Sequence, residues 1–149
     1  MDFLGSMEIS ASALSAERTR LNVISQNLAN SETTRTAAGG PYRRQVSVFA
    51  ATPFVSHLER ALDQPSHPAQ TDPQRGVLVE GIYYDPAPFR RVYDPHHPDA
   101  DAEGYVDYPN VNVVSEMVNL IDASRNFEAN VTAVNATKAM AMKSLEIAR

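Results

Sequence analysis

The sequence predicts a mainly α protein with a small β portion, in which long N- and C-terminal helices pair as a coiled coil around a short β-rich insertion. Three observations predict it. All ten prolines fall between Pro41 and Pro109, so about forty residues at each end lack the strongest helix breaker. Both ends repeat apolar residues at alternating steps of three and four, whereas the middle carries short β-branched and aromatic runs bounded by Pro, Gly and Asp. At 149 residues the chain suits one folding unit with appendages. Its boundaries fall at 1–36 and 109–149 for the discontinuous helical part, and at 37–108 for the insertion.

The N-terminal segment, from about residue 3 to residue 30, places Leu4, Met7, Ala11, Leu14, Arg18, Leu21, Ser25 and Leu28 on one seam. It would be roughly 40 Å long. Residues 42–50, 76–84 and 89–93 read as strands, with Pro86 and Pro88 separating the last two. Residues 56–73 hold three prolines and read as a loop. The C-terminal seam runs through Val113, Met117, Leu120, Ser124, Phe127, Val131, Val134, Lys138, Ala141, Leu145 and Ala148, over roughly 50 Å. Asn112 suits its N-cap, and Glu116 suits the positive end of the helix dipole.

Beyond these seams the helices carry few charges. Ser, Ala, Asn and Gln fill the N-terminal surface, and Asn119, Asn126, Asn130, Thr137 and Ser144 form a polar stripe about a third of a turn from the C-terminal seam. A solvated helix face normally displays Lys and Glu instead. Small side chains permit close approach and amides offer paired donors and acceptors, so these faces are expected to meet partner chains. The insertion is too small to cover two such helices.

Charge is uneven: residues 1–60 carry +1, residues 61–110 carry −6 and the remainder is neutral. No basic cluster exists to bind phosphates, so nucleic acid is not an expected partner. The chain has no cysteine, which excludes thiolate chemistry and Cys-based metal sites. No apolar run reaches the roughly 18 residues of a membrane span, so no membrane insertion is expected. The first seventeen residues lack Lys and Arg, unlike a secretory leader.

The one constellation that imitates a ligand site is the loop at 94–110. Asp99, Asp101, Glu103 and Gly104 match early positions of a calcium loop, but Asn110 stands where a bidentate Glu is required. His96 and His97, being adjacent, point apart, and the Arg43–Arg44 and Arg90–Arg91 doublets suit ion pairs with the acidic middle. No nucleophile–base arrangement or cofactor motif occurs, so no catalysis, cofactor or metal is assigned.

Residues 25–45, "SQNLANSETTRTAAGGPYRRQ", and 108–140, "YPNVNVVSEMVNLIDASRNFEANVTAVNATKAM", resemble the signature ends of the bacterial flagellar axial proteins, in particular a basal-body rod member. Residues 92–106 resemble the connecting stretch of the same member, and residues 57–75 match least. The motif residues are Asn27, Leu28, Ala29, Asn30, Thr33 and Tyr42, where "RTAAGGPY" lengthens the usual approach to the aromatic and favours that rod member over other rod and hook proteins. The resemblance implies a structural subunit of the proximal rod, its terminal helices coiled together in the inner layer of a torque-transmitting helical polymer. It further implies export through the flagellar type III apparatus without a cleaved signal, and a place in the periplasmic part of the basal body. Copies of itself, other rod subunits and the MS-ring and rod-base proteins are the implied partners. The alternatives are another rod or hook protein, or a soluble metal-binding domain using the 94–107 loop.

Overall fold

The computed structural model describes residues 3–37, 39–51 and 76–147, with side chains described from Gly5 onward. The 56–73 loop and the Leu4 and Ala148 seam side chains therefore lie outside the described residues. Helix α1 spans Phe3–Ala29 and helix α2 spans Val113–Ile147. Between them, strand β1 (Gln45–Ala51) pairs antiparallel with β2 (Val77–Tyr84), and β3 (Arg90–Tyr93) pairs antiparallel with β4 (Tyr105–Tyr108). Two long helices with a small antiparallel β portion between them match the expected mainly α class.

Local chemistry explains the element ends. Beyond α1, Asn30 donates its side-chain amide to the Gln26 carbonyl and Ser31 donates its hydroxyl to the Leu28 carbonyl, occupying acceptors that a helix end leaves open. At the start of α2, the Asn112 side-chain oxygen accepts the Val114 and Ser115 N–H groups at 3.0 and 3.2 Å, the expected N-cap. Strand β1 begins later than its sequence pattern, because the Tyr42 N–H donates to the Thr33 carbonyl and the chain there still follows the turn after α1. A register shift between Val48 and Phe49 leaves Glu80 without an opposite residue, since Val48 pairs with Gly81 and Phe49 with Val79.

Strand β4 was not evident in the sequence, where its four residues read as part of an acidic connector. It forms because Asp101 organises the preceding turn: its carboxylate accepts the Glu103 and Tyr105 N–H groups, each at 2.9 Å. Gly104 takes φ 81°, a left-handed conformation disfavoured for side-chain-bearing residues. Val106 then becomes the buried residue of this hairpin, and Tyr93 packs edge-on against Tyr105.

Helix α1 packs along α2 and against β1 and β2. The helices run antiparallel, since Asn27 meets Glu116 while Glu17 faces Asn126 farther along. Their shared core is narrow, made of Ala16, Val23, Ile24 and Ala123, with Glu17 and Thr137 also buried.

Replacing Gly104 with Ala will cost about 1–2 kcal/mol, because the left-handed backbone is retained only under strain and the new Cβ would stand 2.9 Å from the Tyr93 ring. Urea unfolding of the purified variant checks this; an unchanged midpoint would remove the role assigned to Gly104.

Candidate assembly surface and its polar clamp

A buried, fully hydrogen-bonded polar site joins both helices to the β portion. Asn27, near the end of α1, is 1% exposed, and so is Glu116 in the first turns of α2. Each hydrogen-bonding position of the Asn27 amide is used. Its nitrogen donates to the Gln45 carbonyl at 2.8 Å and to Glu116 Oε2 at 3.1 Å, while its oxygen accepts the Gln45 N–H and the Tyr42 hydroxyl, both at 2.9 Å. The other carboxylate oxygen of Glu116 accepts two N–H groups of Arg44, at 2.8 and 2.9 Å.

Arg44 continues the network. Its guanidinium donates to Asp85 at 3.0 Å, and its backbone N–H donates to the Asn110 side chain at 2.9 Å. Five separate stretches of chain thereby converge: the ends of α1 and β2, the starts of β1 and α2, and the segment before α2. Burial opposes the Arg44 charge, yet its hydrogen bonds to Glu116 and Asp85 outweigh that penalty and raise its pKa. Burial also raises the Tyr42 phenol, assisted by the Tyr84 and Glu116 charges.

Of the motif residues, Asn27 and Tyr42 therefore lie inside this clamp. Asn30 and Thr33 form the turn after α1, where Thr33 donates to Asn30 at 3.2 Å. Leu28 is half-buried and Ala29 exposed. Arg44, Glu116, Asp85 and Asn110 were not singled out together by sequence reasoning. The available signal was a carboxylate at Glu116 on the same inner line of α2 as Ala123.

The seam residues divide. Met7, Leu14, Leu21, Leu120, Phe127 and Val134 are half-buried in the single chain. Val113, Met117, Val131 and Leu145 are exposed, Leu145 by 73%. The line of α2 nearest α1 passes through Glu116, Ala123 and Thr137, so it is rotated by a fraction of a turn from the expected seam. That rotation draws Asn119 and Asn130 into partial burial and buries Thr137, whose hydroxyl donates to the Ala133 carbonyl. Asn126 remains exposed and reaches Glu17 at 3.5 Å.

An apolar patch stays open at the start of α2. Val114, Met117, Val118 and Ile121 are 70%, 52%, 53% and 51% exposed, and Met140, Met142, Leu145 and Ile147 are exposed near its end. Elsewhere, the carboxylates of the 94–107 loop engage donors of the protein itself. Asp99 accepts the Thr34 hydroxyl, Asp94 accepts the His96 N–H, and Asp101 pairs with Arg91. Among the described residues no group of three or more His, Asp or Glu could hold a metal ion, and no helix is long and apolar enough to cross a membrane.

Comparison with known proteins accounts for both halves of this arrangement. The family described as "Flagella basal body rod protein" matches residues 7–35, and "Flagellar basal body rod FlgEFG protein C-terminal" matches residues 102–147. The flagellar basal-body rod protein FlgC of Bacillus subtilis is 45% identical, with 97% of both chains covered. The FlgC proteins of Borreliella burgdorferi and Salmonella typhimurium are 41% and 39% identical, each over 99% of this chain and 98% of the relative. The chain belongs to the FlgC family of flagellar basal-body rod proteins. It is thus a structural subunit of the basal body, and in this FlgC chain the two matched regions contribute Asn27 and Glu116, while Arg44 lies between them.

Asn27→Ala in this FlgC chain will cost about 3 kcal/mol, because it leaves the Glu116 oxygen and the Gln45 backbone groups short of partners. Asn30→Ala, beside solvent, will cost about 1 kcal/mol or less; equal urea midpoints for the two variants would contradict the clamp. Asp85 supplies a second check. Its carboxyl is held below its ordinary 3.8, first by accepting the Ala87 N–H and then by the Arg44 guanidinium. A carboxylate lowered on folding stabilises the protein above its unfolded value and ceases to do so as pH falls through the folded value. Stability from this group is therefore complete above the ordinary carboxylate value and declines as pH falls below it through the lower folded value. Asp85→Asn should flatten that part of the acid limb in pH-dependent unfolding.

Proposed function

We propose that this subunit builds the proximal rod through its two terminal helices, which meet copies of itself and other rod subunits to form the torque-transmitting shaft. The observation that carries this reading is the open apolar face at the start of α2, formed by Val114, Met117, Val118 and Ile121. Exposed seam residues Val113, Val131 and Leu145 and the amide of Asn126 add further contact positions. The terminal helices form the discontinuous assembly unit, 1–36 with 109–149, and residues 37–108 form the portion outside it.

The size of the apolar face argues for many weak contacts. Burying a half-exposed aliphatic side chain contributes about 1 kcal/mol, so these four residues supply roughly 4 kcal/mol. Association costs roughly 4–15 kcal/mol in lost freedom. One pair of subunits is therefore weak, whereas a subunit gripped by several neighbours is held firmly. A shaft made this way spreads torque over repeated interfaces, and its subunits stay apart while dilute.

In the same reading the chain reaches its periplasmic position through the flagellar type III export apparatus and meets the MS-ring and rod-base proteins there. It performs no catalysis. The FlgC relatives named above support the assignment to the rod.

Met117→Asp combined with Val114→Asp should leave the monomer's thermal unfolding within a few degrees of the parent, since both positions are exposed. The same variant should reduce swimming and the yield of complete basal bodies at least tenfold in cells lacking the native subunit. Normal motility in that strain would overturn the proposed role of this face.

A further inference from the structure

The outer edge of β1 is only partly occupied. A strand in an antiparallel pair turns its backbone groups alternately toward its partner and away from it. Just ahead of β1 the Arg44 carbonyl accepts the Asp85 N–H, so the even-numbered residues face β2. The Gln45 N–H and carbonyl turn the other way and meet the Asn27 amide at 2.9 and 2.8 Å. Glu80, the unopposed residue of the register shift, lies on β2, so β1 keeps its alternation and Ser47 and Phe49 face the same way as Gln45. An amide that donates to and accepts from one residue does what an adjacent strand does. Past this one-residue substitute, no described residue meets the outward backbone groups of Ser47 and Phe49.

Helix α1 leaves that edge open because it crosses beneath the hairpin. At the Gln45 end it reaches the outer edge of β1 through Asn27, whereas farther back Ser12 accepts the N–H of Val77, on the outer edge of β2. Where α1 draws away from β1 there is a cavity of about 290 Å³, lined by Ser47 and Phe49 of β1, Arg20, Val23 and Ile24 of α1, and Asn119 of α2. Two polar groups in it are short of partners. The Asn119 amide makes no hydrogen bond among the described residues, and Arg20 reaches Glu17 only at 3.9 Å.

We propose that an extended segment of another polypeptide chain adds to β1 as a third strand at Ser47 and Phe49, with a carboxylate side chain set against Arg20. Outward groups two residues apart on a strand repeat at about 6.8 Å, and a neighbouring strand presents donors and acceptors at that interval from about 4.8 Å away. A helix cannot do so, because its backbone groups are spent within itself. Val23 and Ile24 form an apolar floor for one inward side chain, and the Asn119 amide is placed to serve the segment as Asn27 serves Gln45. Arg20 lies about 10 Å along α1 from Asn27, level with a point about 10 Å along β1 from Gln45, beside Phe49. The carboxylate therefore belongs on the residue opposite Phe49. This surface lies on the β portion, apart from the open face of α2, and is testable separately from it.

Ser47→Pro removes the outward N–H alone, a change that an edge strand tolerates. The purified variant should melt within a few degrees of the parent, whereas Val48→Pro, which removes an N–H facing β2, should unfold the β portion. In basal bodies assembled from the full chain, the Ser47 and Phe49 amides should exchange with deuterium about tenfold or more slowly than in the dilute monomer. Ser47→Pro should lower the yield of complete basal bodies about tenfold, and Arg20→Gln about threefold. Ser47→Ala, which keeps the N–H, should leave the yield at the parental level. Equal exchange in the two forms, protection already present in the dilute monomer, or a Ser47→Ala variant as impaired as Ser47→Pro would each overturn the added strand; a parental yield from Arg20→Gln would overturn its carboxylate. Should Ser47→Pro fail to fold, the exchange comparison decides. The proposed role of the α2 face survives each of these results, since it is read from Met117→Asp with Val114→Asp.

Discussion

The buried contact between Asn27 and Glu116, completed by Arg44, is the constraint on which the rest of the chain depends. A carboxylate taken out of water is costly unless charge and hydrogen bonds replace its solvent. Here Arg44 supplies the charge, and Asn27 supplies a donor while binding the β1 backbone through both its nitrogen and its oxygen. Removing any member leaves the others desolvated and short of partners. The helices thus join where the β portion begins, and their antiparallel register follows from that junction.

From this junction each helix keeps an inner side and an outer side. The inner side of α2 takes Ala123 and Thr137 to α1, while Val114, Val118 and Ile121 face outward. A core limited to a few small residues would be a poor basis for an independent globule. In a rod subunit it leaves apolar area for assembly, and fixes the relative position of the two helices without using up their outer faces. The clamp provides positional precision, and the open faces are the ones proposed for association.

Directional polar contacts tie the β portion to α1 and to the turn after it, and hold its own segments together. Ser12 accepts the Val77 N–H, Arg43 lies over the Phe89 ring, and Thr34 and Arg35 both reach Asp99. Asp101 organises the β3–β4 turn while also pairing with Arg91, so acidic residues that resemble a cation loop in one dimension serve as hydrogen-bond acceptors for the chain itself.

Periodic apolar residues and the confinement of proline to the middle determined the two helices, and β-branched runs determined three of the strands, because these signals act over a few neighbouring residues. Asn112 was legible as a cap for the same reason. Strand β4 was not, since four residues carry almost no periodicity and its turn depends on Asp101 accepting from two later N–H groups. The clamp lay beyond reach as well, because Asn27, Arg44, Asp85 and Glu116 are distant in sequence and nothing local says that a helix-start glutamate will be desolvated. Only the tertiary structure decided which side of α2 turns inward: satisfying Glu116 rotates the helix, drawing Thr137 into burial and leaving Met117 and Leu145 open. Local pattern sets what a segment becomes, whereas the cost of burying a charge sets how segments face one another.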